Sequence, residues 1–298
     1  MINIGLYISL IWRSVMSINI SSFDTLCYKG SAKYNEDIVG VTPWGAWVLD
    51  GATGLNNKNL VCKESDAKWY VNWWNKYLYK NINKDSSLKE IMIEGIKNIK
   101  LEYYSKIEKS KIEKLDTPSS SISIIKYRDN IIEYLLLGDC SLHMKIGENT
   151  HIIKDRTLRK LDKIVYDEME NLDNLSNLSF EEIKTSVMQT IIKNRLKKNT
   201  ENGYWILEFE EKAVDKAIYG EIKVNQPIDI LMASDGFSCI SDRYNLINEY
   251  SLLDCAINDG IGAIYSKLRS VEEDDFKTIK FPRFKVKDDS SCVYLNLD

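Results

Sequence analysis

Asp50 and Gly51 sit where a short apolar run, Trp44-Gly45-Ala46-Trp47-Val48-Leu49, gives way to the small-residue turn Ala52-Thr53-Gly54. A carboxylate at that point is lifted out of the core and held on a rigid strand end. Four further acidic islands share the setting. Asn35-Glu36-Asp37, Gly138-Asp139, Ser234-Asp235-Gly236 and Asp288-Asp289-Ser290-Ser291 each lie beside an apolar, β-like run. Any one of them alone reads as a turn, because Asp-Gly is common turn chemistry. Together, in a chain with only two histidines, they point to a site for hard divalent cations, which take oxygen ligands.

Between the islands the pattern alternates. Ile18 to Tyr28, Glu36 to Val41 and Trp44 to Leu49 read as strands, with Thr42-Pro43 at a turn. Two helices follow. Tyr70, Trp73, Trp74 and Tyr77 fall at helical spacing on one face, which reads as core. Ser87 and Glu90 form a capping box for the second helix. Beyond Pro118, the runs 121–127, 131–137, 142–146 and 151–153 read as an antiparallel meander with a hairpin turn at Asp129-Asn130. Residues 157–198 return to helix, with a capping box at Ser179 and Glu182 and an exposed loop over 170–177. Strands are expected again at 204–209, 218–224, 228–233 and 292–297, with mixed helix over 244–268. Glu272-Glu273-Asp274-Asp275 reads as a solvated loop. Strands on both sides of a helical block favour one α+β domain, its sheets covered by helix pairs.

Bulk composition narrows the function. A formal net charge of -4, with lysines interspersed among acids, argues against a nucleic-acid surface. The six cysteines form no CxxC pair, so free, mostly buried thiols in a reducing cytosol are expected rather than a zinc site or disulfide framework. The apolar run Ile4 to Trp12 is too short to span a bilayer and has no basic residue before it. Residues 1–17 therefore read as an N-terminal extension and 18–298 as one domain, with no membrane association and a cytoplasmic location.

The order and wording of the islands resemble the metal-dependent Ser/Thr protein phosphatases of type 2C, in their bacterial form. The resemblance rests on Tyr34-Asn35-Glu36-Asp37, Val48 to Gly54, Leu137 to Ser141, Leu231 to Gly236 and Asp288 to Ser291, and the segment Asn202 to Leu207 adds to it. It implies two stacked antiparallel β-sheets flanked by pairs of antiparallel helices. It also implies two Mn²⁺ or Mg²⁺ ions at one end of the sandwich, where a hydroxide bridging them attacks phosphoserine or phosphothreonine. Carried over by position, Asp50 would bridge both ions. The Gly51 carbonyl and Glu36 would serve one ion, and Asp235 and Asp288 the other. Asp37 would hold ion-bound waters, and Asp139 would belong to a weak third position. The implied partner is a phosphorylated protein, opposing a Ser/Thr kinase.

Three positions depart from the family's pattern. Where many members carry a phosphate-binding Arg, this chain has Ala32, with Lys33 next door as a point charge that could contact the phosphate. Where some carry a His after the Asp-Gly pair, it has Ala52, and neither His143 nor His151 lies in that motif. The acid that usually completes the third position is replaced by Cys239, so that position should be weak or empty unless Asp242 reaches in. These losses leave a second reading open, a catalytically weak member that binds phosphoproteins or a regulatory partner. A different two-metal hydrolase such as a nuclease is disfavoured by the acidic charge and the lack of a basic aromatic groove.

Overall fold

The structure, a computed structural model, describes residues 19–56, 58–107 and 112–298. The expected extension at 1–17 lies outside the described residues.

Two antiparallel sheets stack face to face. One runs β1 (Ile20–Tyr28), β10 (Ser290–Leu297), β9 (Ile228–Ala233), β6 (Ser141–Ile146), β7 (Asn149–Lys154). The other runs β2 (Asp37–Thr42), β3 (Gly45–Ala52), β4 (Ser119–Arg128), β5 (Ile131–Leu137), β8 (Ile218–Lys223). Strand alternation sends neighbouring residues to opposite faces. On β3, Ala46 and Val48 join Met144, Ile230 and Val293 between the sheets, while Trp47 and Leu49 face outward. Against that outer face pack α1 (Asp66–Asn81) and α2 (Leu88–Ser105) through Tyr70, Trp74, Ile91 and Ile99. This is the helical aromatic face expected from spacing, with Trp73 only half-buried.

The helical block comprises α3 (Thr157–Glu170), α4 (Phe180–Ser186) and α5 (Met188–Arg195), which share a small cluster of Val165, Met169, Ile183 and Val187. A short α6 (Lys212–Asp215) precedes β8. The outer face of the β1–β7 sheet is covered by α7 (Asp235–Asp242), α8 (Leu252–Asp259) and α9 (Ile261–Asp274). The result is the four-layer α-β-β-α sandwich expected. Both capping boxes form, at Ser87/Glu90 and Ser179/Glu182.

Three local expectations are corrected. The meander is not continuous: β4 and β5 belong to one sheet and β6 and β7 to the other, so the chain crosses between sheets at Gly138-Asp139. Gly138, at φ 76°, takes the left-handed conformation that this crossing requires. Residues 204–209 are not a strand, because only single bridges, Ser120 to Leu207 and Lys198 to Tyr204, hold them. Glu272 is not solvated. It is buried at the end of α9, paired with Arg269 and accepting from Tyr244 at 3.2 Å. Among the described residues all six cysteines are free; Cys140, Cys239 and Cys292 are buried and the other three half-buried.

Candidate metal centre

The islands converge at one end of the inter-sheet core. Asp50 follows Ala46 and Val48 on the inner face of β3, so alternation alone aims it between the sheets. The β2–β3 register sets Asp37 directly opposite Asp50, and the β3–β4 register sets Ser121 on its other side. Gly51 N–H donates to the Glu36 carbonyl at 3.0 Å, closing the turn that holds Glu36 beside the strand end. Gly51 has no spare room: a Cβ there would lie 2.5 Å from that same carbonyl oxygen.

Asp235 is the first residue of α7, directly after β9, and Asp288 precedes β10, which pairs with β9. Asp289 ties the two halves together. Its carboxylate accepts from Gly30 N–H and Glu36 N–H, each at 2.8 Å. Asp37 accepts from Ser291 Oγ at 2.6 Å, so this acid also spans the sheets. Asp139, at the crossover, accepts from Ser121 Oγ at 2.6 Å. Glu36 accepts from Thr53 Oγ1 at 2.6 Å and from Ser65, the N-cap of α1.

A cavity of ≈ 300 Å³ opens onto this cluster, lined by Glu36, Asp50, Gly51, Asp139, Asp235 and Asp288. That is the lower end of small-molecule sites and ample for a phosphorylated side chain. All the metal-site residues expected from sequence except Asp37, which lies behind Asp50, therefore line one space. Lys33 is exposed, with its ammonium 5.1 Å over the Tyr34 ring, and is not part of the lining. Three cations that sequence reasoning missed are part of it, Lys184, Lys285 and Arg195. Lys285 Nζ lies 2.6 Å from Asp288 Oδ1. Its position three residues before Asp288 was the one available signal. Arg195 ends α5, and nothing in its local sequence marks it.

The electrostatics are those of an acid cluster short of positive charge. Burial raises Asp37, Asp50 and Asp139 above the usual carboxylate range, and neighbouring acids add to it. Asp235 is pushed up to about 7 by burial, then by Asp139 and Asp288. Carboxylates crowded in this way need either a proton or a cation between them. Burial works against the charge of Lys285, yet Asp288 and Asp50 hold its pKa above the ordinary lysine value. The donor set is all oxygen, which fits Mg²⁺ or Mn²⁺. Among the described residues no three His, Cys, Asp or Glu side chains close into a ready-made cage. Such openness suits an ion that keeps several waters and takes few direct ligands. Asp242 does not complete a third position: Lys154 engages it at 2.6 Å and Arg159 at 3.2 Å. Cys239 is buried, its thiol 3.4 Å from the Gly236 carbonyl.

These shifts set a pH dependence. Asp162, on the same cavity wall, is also pushed up to about 7, by burial and then by Asp139 and Asp235. With folded values above unfolded ones, the metal-free fold holds extra protons between about pH 4 and 7, so its stability falls as pH rises through that window. His143, held down to about 4 by burial and then by Lys154, acts in the opposite sense, but it is one group against several. Divalent ions replace the protons. The metal-free melting temperature is therefore expected to fall as pH rises from about 5 to about 7, and the rise on adding Mn²⁺ to grow over the same range. A Mn²⁺ shift that is flat with pH in differential scanning fluorimetry would count against the carboxylates as ligands.

No family model and no curated protein sequence matches the chain. Solved structures do. The serine/threonine phosphatase PstP/Ppp of Mycobacterium tuberculosis matches with a TM-score of 0.57 at 12% identity, over 95% of this chain and 99% of that one. The catalytic domain of PstP in complex with two manganese ions matches with a TM-score of 0.53 at 11% identity, over 94% and 99%. The PPM Ser-Thr phosphatase MsPP of Mycobacterium smegmatis, in complex with cacodylate, matches with a TM-score of 0.52 at 12% identity, over 93% and 98%. At these identities the likeness is one of fold: the chain has the fold of the PPM-type Ser/Thr phosphatases.

Proposed function

We propose that this chain is a metal-dependent phosphatase of type 2C that hydrolyses phosphoserine and phosphothreonine in proteins, opposing a Ser/Thr kinase in the cytoplasm. One observation carries the reading. Half-buried acids from four separate strand ends meet at one cavity, short of positive charge, on a fold shared with such enzymes.

In this reading Asp50 would be a ligand shared by two ions. Glu36 and the Gly51 carbonyl would serve one ion, and Asp235 and Asp288 the other. Asp37, fixed by Ser291 and set opposite Asp50, orients waters rather than binding an ion itself. Asp139, without a partnering acid, offers a third position of low affinity. When bound, two such ions neutralise phosphoryl charge and acidify a water for in-line attack. That contribution is large, because phosphate-monoester hydrolysis needs up to ~10²¹-fold acceleration. The chain's own part is to place the acids, exclude bulk water and orient the phosphate.

Protonation of the leaving group has no side chain assigned to it. Ala52 carries no proton, His143 is buried with Nε2 3.3 Å from Ser141 Oγ, and neither His143 nor His151 lines the cavity. Aryl phosphates, which need less leaving-group protonation, are therefore expected to turn over faster than alkyl phosphates, with a shallower pH dependence. The deciding experiment is hydrolysis of p-nitrophenyl phosphate and of a phosphothreonine peptide, with and without Mn²⁺. Turnover that requires Mn²⁺ is the expected result. Mn²⁺ and phosphopeptide binding without turnover would instead establish the second reading, a binding module, which Ala32 and Ala52 favour. No Mn²⁺ binding would defeat both. The same rate and pH profile for aryl and alkyl esters would show that a proton donor has been overlooked.

The fold places no membrane constraint on this role: among the described residues no helix is long and apolar enough to cross a bilayer.

A further inference from the structure

The family's phosphate-binding Arg position is Ala32 here, and Lys33 lies outside the cavity with its ammonium over Tyr34. A dianionic phosphate entering a space walled by carboxylates still needs a hydrogen-bonding cation. Three cations line that space, and they are not equivalent: the Lys184 ammonium stands over the Phe180 ring, 6.0 Å from its centroid, and as a lysine it lacks a planar fork. Lys285 is already committed to Asp288 at 2.6 Å. Arg195 is not committed to any acid. Among the described residues no carboxylate lies within ion-pair distance of its guanidinium, whereas Arg156, Arg159, Arg269 and Arg283 are each paired with one. Its Nη1 donates to the Thr53 carbonyl at 3.2 Å. Thr53 in turn donates to Glu36 at 2.6 Å. The guanidinium is thus anchored on the turn that follows Asp50, with most of its five N–H donors left over.

Resting on the phosphatase reading above, we propose that Arg195 is the phosphate-binding arginine of this protein, supplied by the helical block instead of by the β1–β2 loop. Its planar fork can take two phosphoryl oxygens at once, which a lysine ammonium cannot do. Because Arg195 closes α5, docking of the 157–198 block against the sheet end becomes a condition for holding the phosphate. The block is then part of the substrate site and not only a cover over it.

Calorimetric titration of the Mn²⁺-loaded protein with inorganic phosphate tests this without relying on turnover. Arg195→Ala is expected to weaken phosphate binding at least about tenfold and to raise KM for a phosphothreonine peptide. Arg195→Lys is expected to fall between, keeping charge but losing the fork. Mn²⁺ affinity measured on the same samples is expected to stay within about twofold of wild type, since the tie to Thr53 is a single hydrogen bond to a backbone carbonyl and touches no proposed metal ligand. Arg156→Ala, which removes a cation paired to Glu249 away from the cavity, is expected to bind phosphate as wild type does. Wild-type phosphate affinity in Arg195→Ala overturns the assignment. So does a loss confined to Lys33→Ala, or a fall in Mn²⁺ affinity as large as that in phosphate affinity, which would make Arg195 a prop for the Thr53–Glu36 turn. A wild-type protein that binds no Mn²⁺ would sink the phosphatase reading itself, and that result is distinct from an active enzyme indifferent to Arg195.

Discussion

Replacing Asp50 by Asn is expected to abolish Mn²⁺-dependent turnover while leaving the metal-free fold as stable as before or more so. The two effects have one cause. Asp50 is half-buried at the cavity, and its carboxyl is pushed well above the usual range by desolvation and then by Asp37 and Asp235. Asp50→Asn keeps the shape but removes one member of a set of mutually repelling acids. The metal-free protein then has one fewer raised carboxyl that must take up a proton on folding. In the proposed reading the divalent ions would also lose the ligand they share. Preorganised electrostatic groups are worth ~10²–10³ in rate when one is removed, and a bridging ligand acts on two ions, so a loss of about 10³-fold or more is expected. Three measurements on one sample set check it: metal-free melting temperature, Mn²⁺ binding by calorimetry, and p-nitrophenyl phosphate turnover. A lower metal-free melting temperature together with near-normal Mn²⁺ binding would make Asp50 a structural residue and remove the centre from the reading.

Much of this was legible in the chain. Period-two alternation on β3 already separates Trp47 and Leu49 from Val48 and Asp50, so the inward direction of Asp50 follows from the sequence. The capping boxes at Ser87 and Ser179 are local by nature, since both partners lie within four residues, and both form. What failed to show was long-range. Glu272 looked solvated because one of its partners, Tyr244, is 28 residues away. The meander split at Gly138 because a pattern of strands does not say which sheet each joins. Residues 204–209 carry a strand's composition but pair through single bridges. Arg195 was illegible for a related reason. Its helix has a weakly defined apolar face, so nothing in the local pattern says which way its last residue points once the block is docked. Asp289 was read as one letter of a motif, whereas its two hydrogen bonds to Gly30 and Glu36 hold the two sheets' loops together.

That long-range tie makes Gly236 a position where a single methyl group should damage the centre directly. Gly236 is the second residue of α7, beside Asp235, and a Cβ built on it would lie 1.9 Å from the Asp289 carbonyl oxygen and 3.1 Å from Asp288 Cβ. The obstacle at 1.9 Å is backbone, not a side-chain tip that can swing away. Gly236→Ala must therefore push the start of α7 off the residues that enter β10, which separates Asp235 from Asp288 and disturbs the grip of Asp289 on Glu36. Overpacking of this kind costs about 1–3 kcal/mol, and a misplacement of about 1 Å at a reacting centre can cost ~10²-fold in rate. Helix propensity works the other way, because Ala is favoured over Gly by about 1 kcal/mol within a helix. Gly262, near the start of α9, isolates that opposing term: its added Cβ meets nothing within 4 Å. Gly262→Ala is accordingly expected to raise stability by about 0.5–1 kcal/mol with turnover unchanged. Gly236→Ala is expected to lower the melting temperature and to lose most Mn²⁺ binding and turnover. Equal stability and equal Mn²⁺ affinity in the two variants would mean that the close packing of α7 on Asp289 does not set the spacing of Asp235 and Asp288.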